Sequence, residues 1–170
     1  MRNPALLKVQ LLANLRHVPG LLAQQLQLPF KDIDHLVVEH AGASIPWIFD
    51  VEGEAGFRAR ETLALTEALA GAPAVIATGG GIVCKKENRE LLKQAGNVVF
   101  LYASVEQQFA RTRKDKNRPL LQTENPRAKL TELMHQREPW YREVAHLVIE
   151  TGHYRINAAL QKIASYWAAS

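Results

Sequence analysis

Four small apolar residues, Ala74-Val75-Ile76-Ala77, run without a polar break into Thr78 and the triplet Gly79-Gly80-Gly81. An apolar run with no alternation fits a strand buried on both faces, and so a sheet covered by helices on each side. The glycines that follow carry no Cβ, so a ligand can approach their backbone closely. The rest of the chain is written in the same terms. Pro29 to Ile33, Asn97 to Tyr102 and His146 to Glu150 read as further short strands. Between and after them, Asp34 to His40, Phe57 to Leu69, Asn88 to Gln94, Val105 to Thr112, Lys129 to Glu143 and Ile156 to Trp167 carry helix formers. Gly96 marks the end of one of these helices, and Ser104 the start of another, with Glu106 and Gln107 placed for a capping box. Strand and helix alternating in this way predict an α/β fold, a parallel sheet flanked by helices. With no internal repeat, low-complexity tract or linker, residues 1–170 are expected to form a single domain.

Composition narrows the function by exclusion. Hydrophobic residues make up 47% and charged residues 22%, the proportions of an ordinary globular protein. No apolar run approaches the length of a membrane span, and Lys8, Gln10, Asn14 and Arg16 interrupt the stretch after Pro4-Ala5-Leu6-Leu7. That is a poor signal peptide, so a cytoplasmic protein with no membrane partner is expected. The lone Cys84 excludes an internal disulfide or a cysteine-based zinc site, and is expected to be a small packing residue. His35, His40, His135 and His153 show no metal-ligand spacing, and His146 is expected to be structural. The net charge of +4 is concentrated between Arg111 and Arg118. No aromatic residue is interleaved there and no nucleic-acid module surrounds it, so a nucleic-acid partner is not expected. A mobile cationic loop over about residues 113–126, closing on a small polyanion, fits better; a solvated charged face is the plainer alternative.

Asp32 and Asp34 lie two apart at a predicted strand end, where α/β sheets collect ligands. Carboxylates there can organise a Mg²⁺ ion through water or accept a hydroxyl proton; equally, Asp34 can cap the helix that follows. Arg58 and Arg137 come from distant segments. If they converge, their planar forks suit a carboxylate; taken singly, each reads as a surface ion-pair partner. Arg60 is expected to face elsewhere and pair with Glu61 or Glu67. Trp47, Phe49 and Phe57 read as pocket walls or as ordinary core.

Taken in order, Asp32-Ile33-Asp34, Gly53-Glu54-Ala55-Gly56-Phe57-Arg58, Gly79-Gly80-Gly81, Arg118-Pro119-Leu120-Leu121 and Arg137 resemble the shikimate kinases from about Leu22 to the C-terminus. The resemblance implies a P-loop kinase fold with a mobile lid. It implies transfer of the γ-phosphoryl group of ATP, with Mg²⁺, to the 3-hydroxyl of shikimate in aromatic amino-acid biosynthesis. It gives Asp34, Arg58, Gly79, Gly80, Gly81 and Arg137 to shikimate, with Asp34 assisting deprotonation. Arg118 acts from the lid on the moving phosphoryl group, Arg111 stacks on adenine, and Asp32 supports the metal through water. A monomer is expected.

One part of the pattern is missing. Such a kinase opens with a glycine-rich loop ending in Gly-Lys-Ser/Thr, whose amides, lysine and hydroxyl hold phosphates and Mg²⁺. Aligned without gaps from Leu22-Ala23-Gln24-Gln25-Leu26, this chain places Leu15, Arg16 and His17 where Lys-Ser-Thr belong, and Leu12-Ala13-Asn14 on the glycine-bearing part. No Gly-x-x-x-x-Gly-Lys occurs anywhere, and Pro19 and Gly20 weaken the helix that should follow. Residues 1–21 thus depart from the family pattern, and activity of the chain as written is expected to be impaired. Three explanations stand: a shikimate-binding pseudoenzyme, an unusual loop that binds ATP poorly, or a frameshifted N-terminus of an active kinase. The last makes a checkable prediction. Leu12 to Arg16 can be encoded by CUG GCA AAU CUA CGN, and an alternative frame through those bases reads Gly-Lys-Ser-Thr. The coding sequence should show these codons if the frame is shifted; other codons overturn that explanation.

Overall fold

Five parallel strands form one sheet in a computed structural model that describes residues 8–12, 17–113, 115, 118–152 and 156–169. They are β1 (Lys8–Leu12), β2 (Phe30–Asp32), β3 (Ala74–Thr78), β4 (Val98–Tyr102) and β5 (Leu147–Glu150), and they lie side by side as β2-β3-β1-β4-β5. The first strand is therefore the central one. It pairs with β3 from Lys8↔Ala74 to Leu12↔Thr78 and with β4 from Gln10↔Val98 to Leu12↔Phe100. On the far side of β3, Asp32 pairs with Ala77. Asp32, Leu12 and Thr78 thus finish at one edge of the sheet, and the glycine triplet leaves from the same edge.

The helices are α1 (His17–Leu26), α2 (Ile33–Ala41), α3 (Ile45–Ala70), α4 (Lys86–Ala95), α5 (Val105–Thr112), α6 (Pro126–Val144) and α7 (Ile156–Ala169). They divide the core into two layers. Val75, Val99, Leu101 and Ile149 pack with Val18 and Leu22 of α1 and Leu160 and Ile163 of α7. Ile76, Val98 and Phe100 pack against Ile33, Val37, Phe57, Leu65, Leu92, Tyr141 and Val144 on the other face. Successive strand residues point to opposite faces, so a sheet covered on both sides needs apolar residues at every position. That is the physical origin of the unbroken run at Ala74–Ala77.

Several local readings need correcting. The cap of α2 is Asp32, whose Oδ1 accepts from the amides of Asp34 at 2.9 Å and His35 at 3.3 Å; Asp34 lies inside the helix. Pro19 and Gly20 do not prevent α1, which begins at His17. Pro19 falls in its first turn, where backbone N–H groups have no helical acceptor in any case. The longest helix starts not near Phe57 but at Ile45, behind a Ser44 cap, and it is broken once, at Gly53 (φ 70°, ψ −178°). Elsewhere Gly96 ends α4, and Ser104 and Gln107 form a reciprocal capping box on α5. His146 is structural, its Nδ1 accepting from the Val98 amide at 3.2 Å. Among the described residues no helix is long and apolar enough to cross a membrane.

Two alanine substitutions should move stability in opposite directions. A Cβ on Gly20 or on Gly53 meets no atom within 4 Å, so packing contributes to neither. Gly20→Ala sits in a regular helix and should stabilise by about 0.5–1 kcal/mol. Gly53→Ala must adopt a conformation nearly exclusive to glycine and should cost about 1–3 kcal/mol. Thermal melts of the two variants check this, with shifts of about 2–4 °C per kcal/mol for a chain of this size.

Candidate functional site

A cavity of about 590 Å³ opens at the carboxyl edge of the sheet. Its walls include Asp32, Asp34, Arg58, Gly79, Gly80, Gly81, Arg118 and Arg137, contributed by β2, α2, α3, the turn after β3, the segment before α6, and α6 itself. Phe49 and Phe57 stack at 4.8 Å to make an apolar side. Trp47, expected there, is instead 51% exposed and lies outside the lining. Arg111 also lies outside it. It sits on the exposed last turn of α5, with Nη1 donating to Thr151 Oγ1 at 3.4 Å.

Arg58 is no surface ion-pair residue. It is only 7% exposed, donates from Nη1 to Glu61 Oε2 at 2.7 Å, and donates from Nη2 to Glu54 Oε1 at 3.0 Å. Both partners lie a helical turn away on the same face of α3. The guanidinium also occupies the space beside Gly81: a Cβ there would lie 2.0 Å from Arg58 Nη1. Gly81 is glycine because of this close approach. Burial works against the charge on Arg58, but Glu61 and then Glu54 outweigh it, and its pKa is raised. Arg60 does face elsewhere, yet its partner is neither Glu61 nor Glu67. It forks onto Glu52, with Nε and Nη2 bonds of 2.9 and 2.7 Å.

Glu61 is the residue that the sequence did not assign to the site. It is 1% exposed, and burial pushes its carboxyl pKa up; Arg58 opposes the shift, Asp34 adds to it and Arg137 pulls against it. Asp34 Oδ1 lies 3.3 Å, and Glu61 Oε1 3.6 Å, from where a Cβ on Gly79 would stand. Two carboxylates therefore converge on the first glycine and two guanidiniums line the same cavity. Arg137, 8% exposed, keeps its Nε buried with no hydrogen-bond partner among the described residues.

Tyr141 is the second unassigned residue. Its hydroxyl donates to the Gly80 carbonyl at 2.5 Å. Of the remaining expected residues, Arg118 Nε pairs with Asp115 Oδ2 at 3.2 Å, ahead of a 3₁₀ turn at Pro119–Leu121 whose Leu121 is buried. Lys114, Lys116 and Asn117 of the basic loop, and Leu15 and Arg16 at the missing phosphate motif, lie outside the described residues. Among the described residues no group of three His, Cys, Asp or Glu side chains is placed to hold a metal ion. Asp32 Oδ1 is committed to capping α2.

Two measurements check this electrostatic picture. Glu61→Ala leaves Arg58 buried with only the more exposed Glu54 as partner, and should destabilise by about 3 kcal/mol in urea unfolding at neutral pH. Burial raises the Tyr141 phenol from 10.0 to about 12, against the pull of Arg137. The unfolded chain then loses that proton before the folded one, so stability should fall as pH rises from 10 to about 12. Absorbance titration should show one tyrosine ionising last, and that late step should be absent in Tyr141→Phe.

Comparison with known proteins gives one consistent result. The sequence model of the family described as "Shikimate kinase" matches residues 17–167. The shikimate kinase of Pseudomonas paraeruginosa is 53% identical over 143 residues, which cover 84% of this chain and 83% of that protein. The enzyme of Acinetobacter baumannii is 51% identical over 148 residues, covering 87% and 80%. A solved structure, "Shikimate kinase from Acinetobacter baumannii in complex with shikimate", superposes with a TM-score of 0.91 at 47% identity and covers 95% of this chain and 93% of its own. By fold, by sequence over most of its length and by the order of its motifs, the chain belongs to the shikimate kinase family.

Proposed function

We propose that the cavity binds shikimate and that the chain's reaction is the ATP-dependent phosphorylation of the shikimate 3-hydroxyl. The observation that carries this reading is the meeting of two buried guanidiniums, Arg58 from α3 and Arg137 from α6, at one cavity beside the glycine triplet. Two such cations suit one small carboxylate; Glu54 and Glu61 take one N–H from each nitrogen of Arg58 and leave one N–H on each of its terminal nitrogens, and the buried Arg137 Nε has no partner among the described residues. The Gly79–Gly81 backbone supports the ring. Asp34, close to Gly79, is the group to accept the hydroxyl proton, and Phe49 and Phe57 keep water from one side. Arg118 stands in the lid segment to stabilise charge on the phosphoryl group, and Arg111 stands at the end of α5 for the adenine. Asp32, fixed by its cap bonds, is the residue for a water-mediated contact to Mg²⁺. ATP supplies the phosphoryl group and Mg²⁺ neutralises part of its charge when bound. We place the protein in the cytoplasm as a monomer.

The phosphate side fits less well than the shikimate side. A chain without Gly-Lys-Ser/Thr lacks the lysine and hydroxyl that hold phosphate and metal. Losing a single preorganised donor costs about 10²–10³ in rate, and here several go together. The same missing lysine favours a second reading, a shikimate-binding protein with little or no turnover.

Shikimate binding and shikimate-dependent ADP release separate these readings. Calorimetry should show binding by the chain as written. Arg58→Met should weaken it by about 10–100-fold, the worth of a charged hydrogen bond. ADP release in the presence of Mg²⁺ and ATP should fall at least 10²-fold below that of a relative carrying the full motif. Normal turnover would mean that another segment supplies the phosphate cradle. Absence of shikimate binding would sink the assignment of the cavity.

A further inference from the structure

We infer that Tyr141 is a positioning residue of the pocket, whose hydroxyl fixes the Gly80 peptide and ties it to the helix that carries Arg137. The inference rests on the shikimate reading of the cavity. The three carbonyls of the glycine triplet each have a protein donor. Gly79 O accepts from Ile82 N at 3.3 Å, Gly81 O from Cys84 N at 3.0 Å, and Gly80 O from Tyr141 Oη at 2.5 Å. The first two bonds are internal to the turn. The third comes from another element, 61 residues along the chain. With all three acceptors turned to protein, the negative ends of these peptides are withheld from an anion in the cavity. A planar peptide also sets the Gly81 N–H opposite to the Gly80 carbonyl, so holding one aims the other.

Tyr141 is well placed for this task. Its ring is buried, tilted 31° against Phe100 at 4.8 Å between centroids. Its hydroxyl comes so near Gly80 that a Cβ there would lie 2.9 Å from it. Tyr141 follows Arg137 by one helical turn, so both face the cavity from the same side of α6. The positive charge of Arg137 is near enough to pull against the burial that raises the phenol's pKa. A hydroxyl has one donor and two lone pairs. The donor is spent on Gly80, a partner outside the tyrosine's own helix. One side chain thereby ties the Gly80 peptide to the helix from which Arg137 enters the same cavity.

The test is shikimate affinity measured by calorimetry on three full-length chains: the parent, Tyr141→Phe and Val144→Ala. Val144 is a buried residue of the same helix with no part in the cavity lining, so its truncation reports loss of packing alone. The expected result is a dissociation constant about tenfold higher in Tyr141→Phe, and within about twofold of the parent in Val144→Ala, each compared with its own thermal melt. Unchanged affinity in Tyr141→Phe overturns the inference and leaves the pocket assignment standing. So does weakening in both variants in proportion to lost stability, which marks Tyr141 as merely structural. Failure of the parent to bind shikimate overturns the pocket assignment itself, and the inference with it.

Discussion

Arg58 lies in the volume that a side chain on Gly81 would fill, and Glu61 holds it there at 2.7 Å. This contact docks the long helix α3 against the turn that follows β3. Much of the cavity is a consequence. Phe57, the neighbour of Arg58, stacks on Phe49 from the first half of the helix, and Glu61 is carried to within reach of Asp34. Burying an ion pair is a weak route to stability, because desolvation offsets most of the attraction. Its value lies in placement: a cation kept dry, oriented and charged beside a backbone without side chains. Arg137 lines the same cavity and is as deeply buried, but its Nε has no partner among the described residues, and in that the two guanidiniums are unequal.

The break at Gly53 has its own brace. Arg60 reaches back eight residues to fork onto Glu52 across the break, and Gly56 makes room for it, since a Cβ there would stand 2.4 Å from Glu52 Cβ. Arg60 lowers the carboxyl pKa of Glu52, although both groups face solvent. An ion pair so exposed is screened by salt and contributes little to stability alone. Its geometry still limits how the Ile45–Glu52 segment can swing relative to the rest of α3. The buried pair fixes one half of the helix to the sheet, and the exposed pair relates the other half to it.

The strand-helix order was legible because it follows from burial on two faces of a sheet, which leaves continuous apolar runs at Ala74–Thr78 and Val98–Tyr102. Capping on α5 was legible because Ser104 and Gln107 are local partners. The N-terminal half of α3 was not. Ile45-Pro46-Trp47-Ile48-Phe49 has no helical period, and Gly53 and Gly56 read as breakers. Either aspartate has the right chemistry to cap α2, and only backbone geometry chooses Asp32. In the site, the residue types were legible and their partners were not. Sequence neighbours offer Glu61 or Glu67 to Arg60, whereas the kink brings Glu52 to it. Tyr141 on Gly80 is a tertiary contact that leaves no pattern in the sequence. The central strand Lys8–Leu12 carries two polar residues in five, too mixed a signal to read as a strand with partners on both sides.

That central strand has a consequence for how the chain is made. During synthesis β1 leaves the ribosome before either of its neighbours exists, since β3 begins only at Ala74 and β4 only at Val98. At roughly 5–20 residues per second, its backbone waits several seconds for a first partner and longer for a second. An unpaired strand with two open edges is a template for pairing with other chains. The sheet can therefore close only from its centre outwards and late, first on the β3 side and then, once Val98 to Tyr102 is made, on the β4 side.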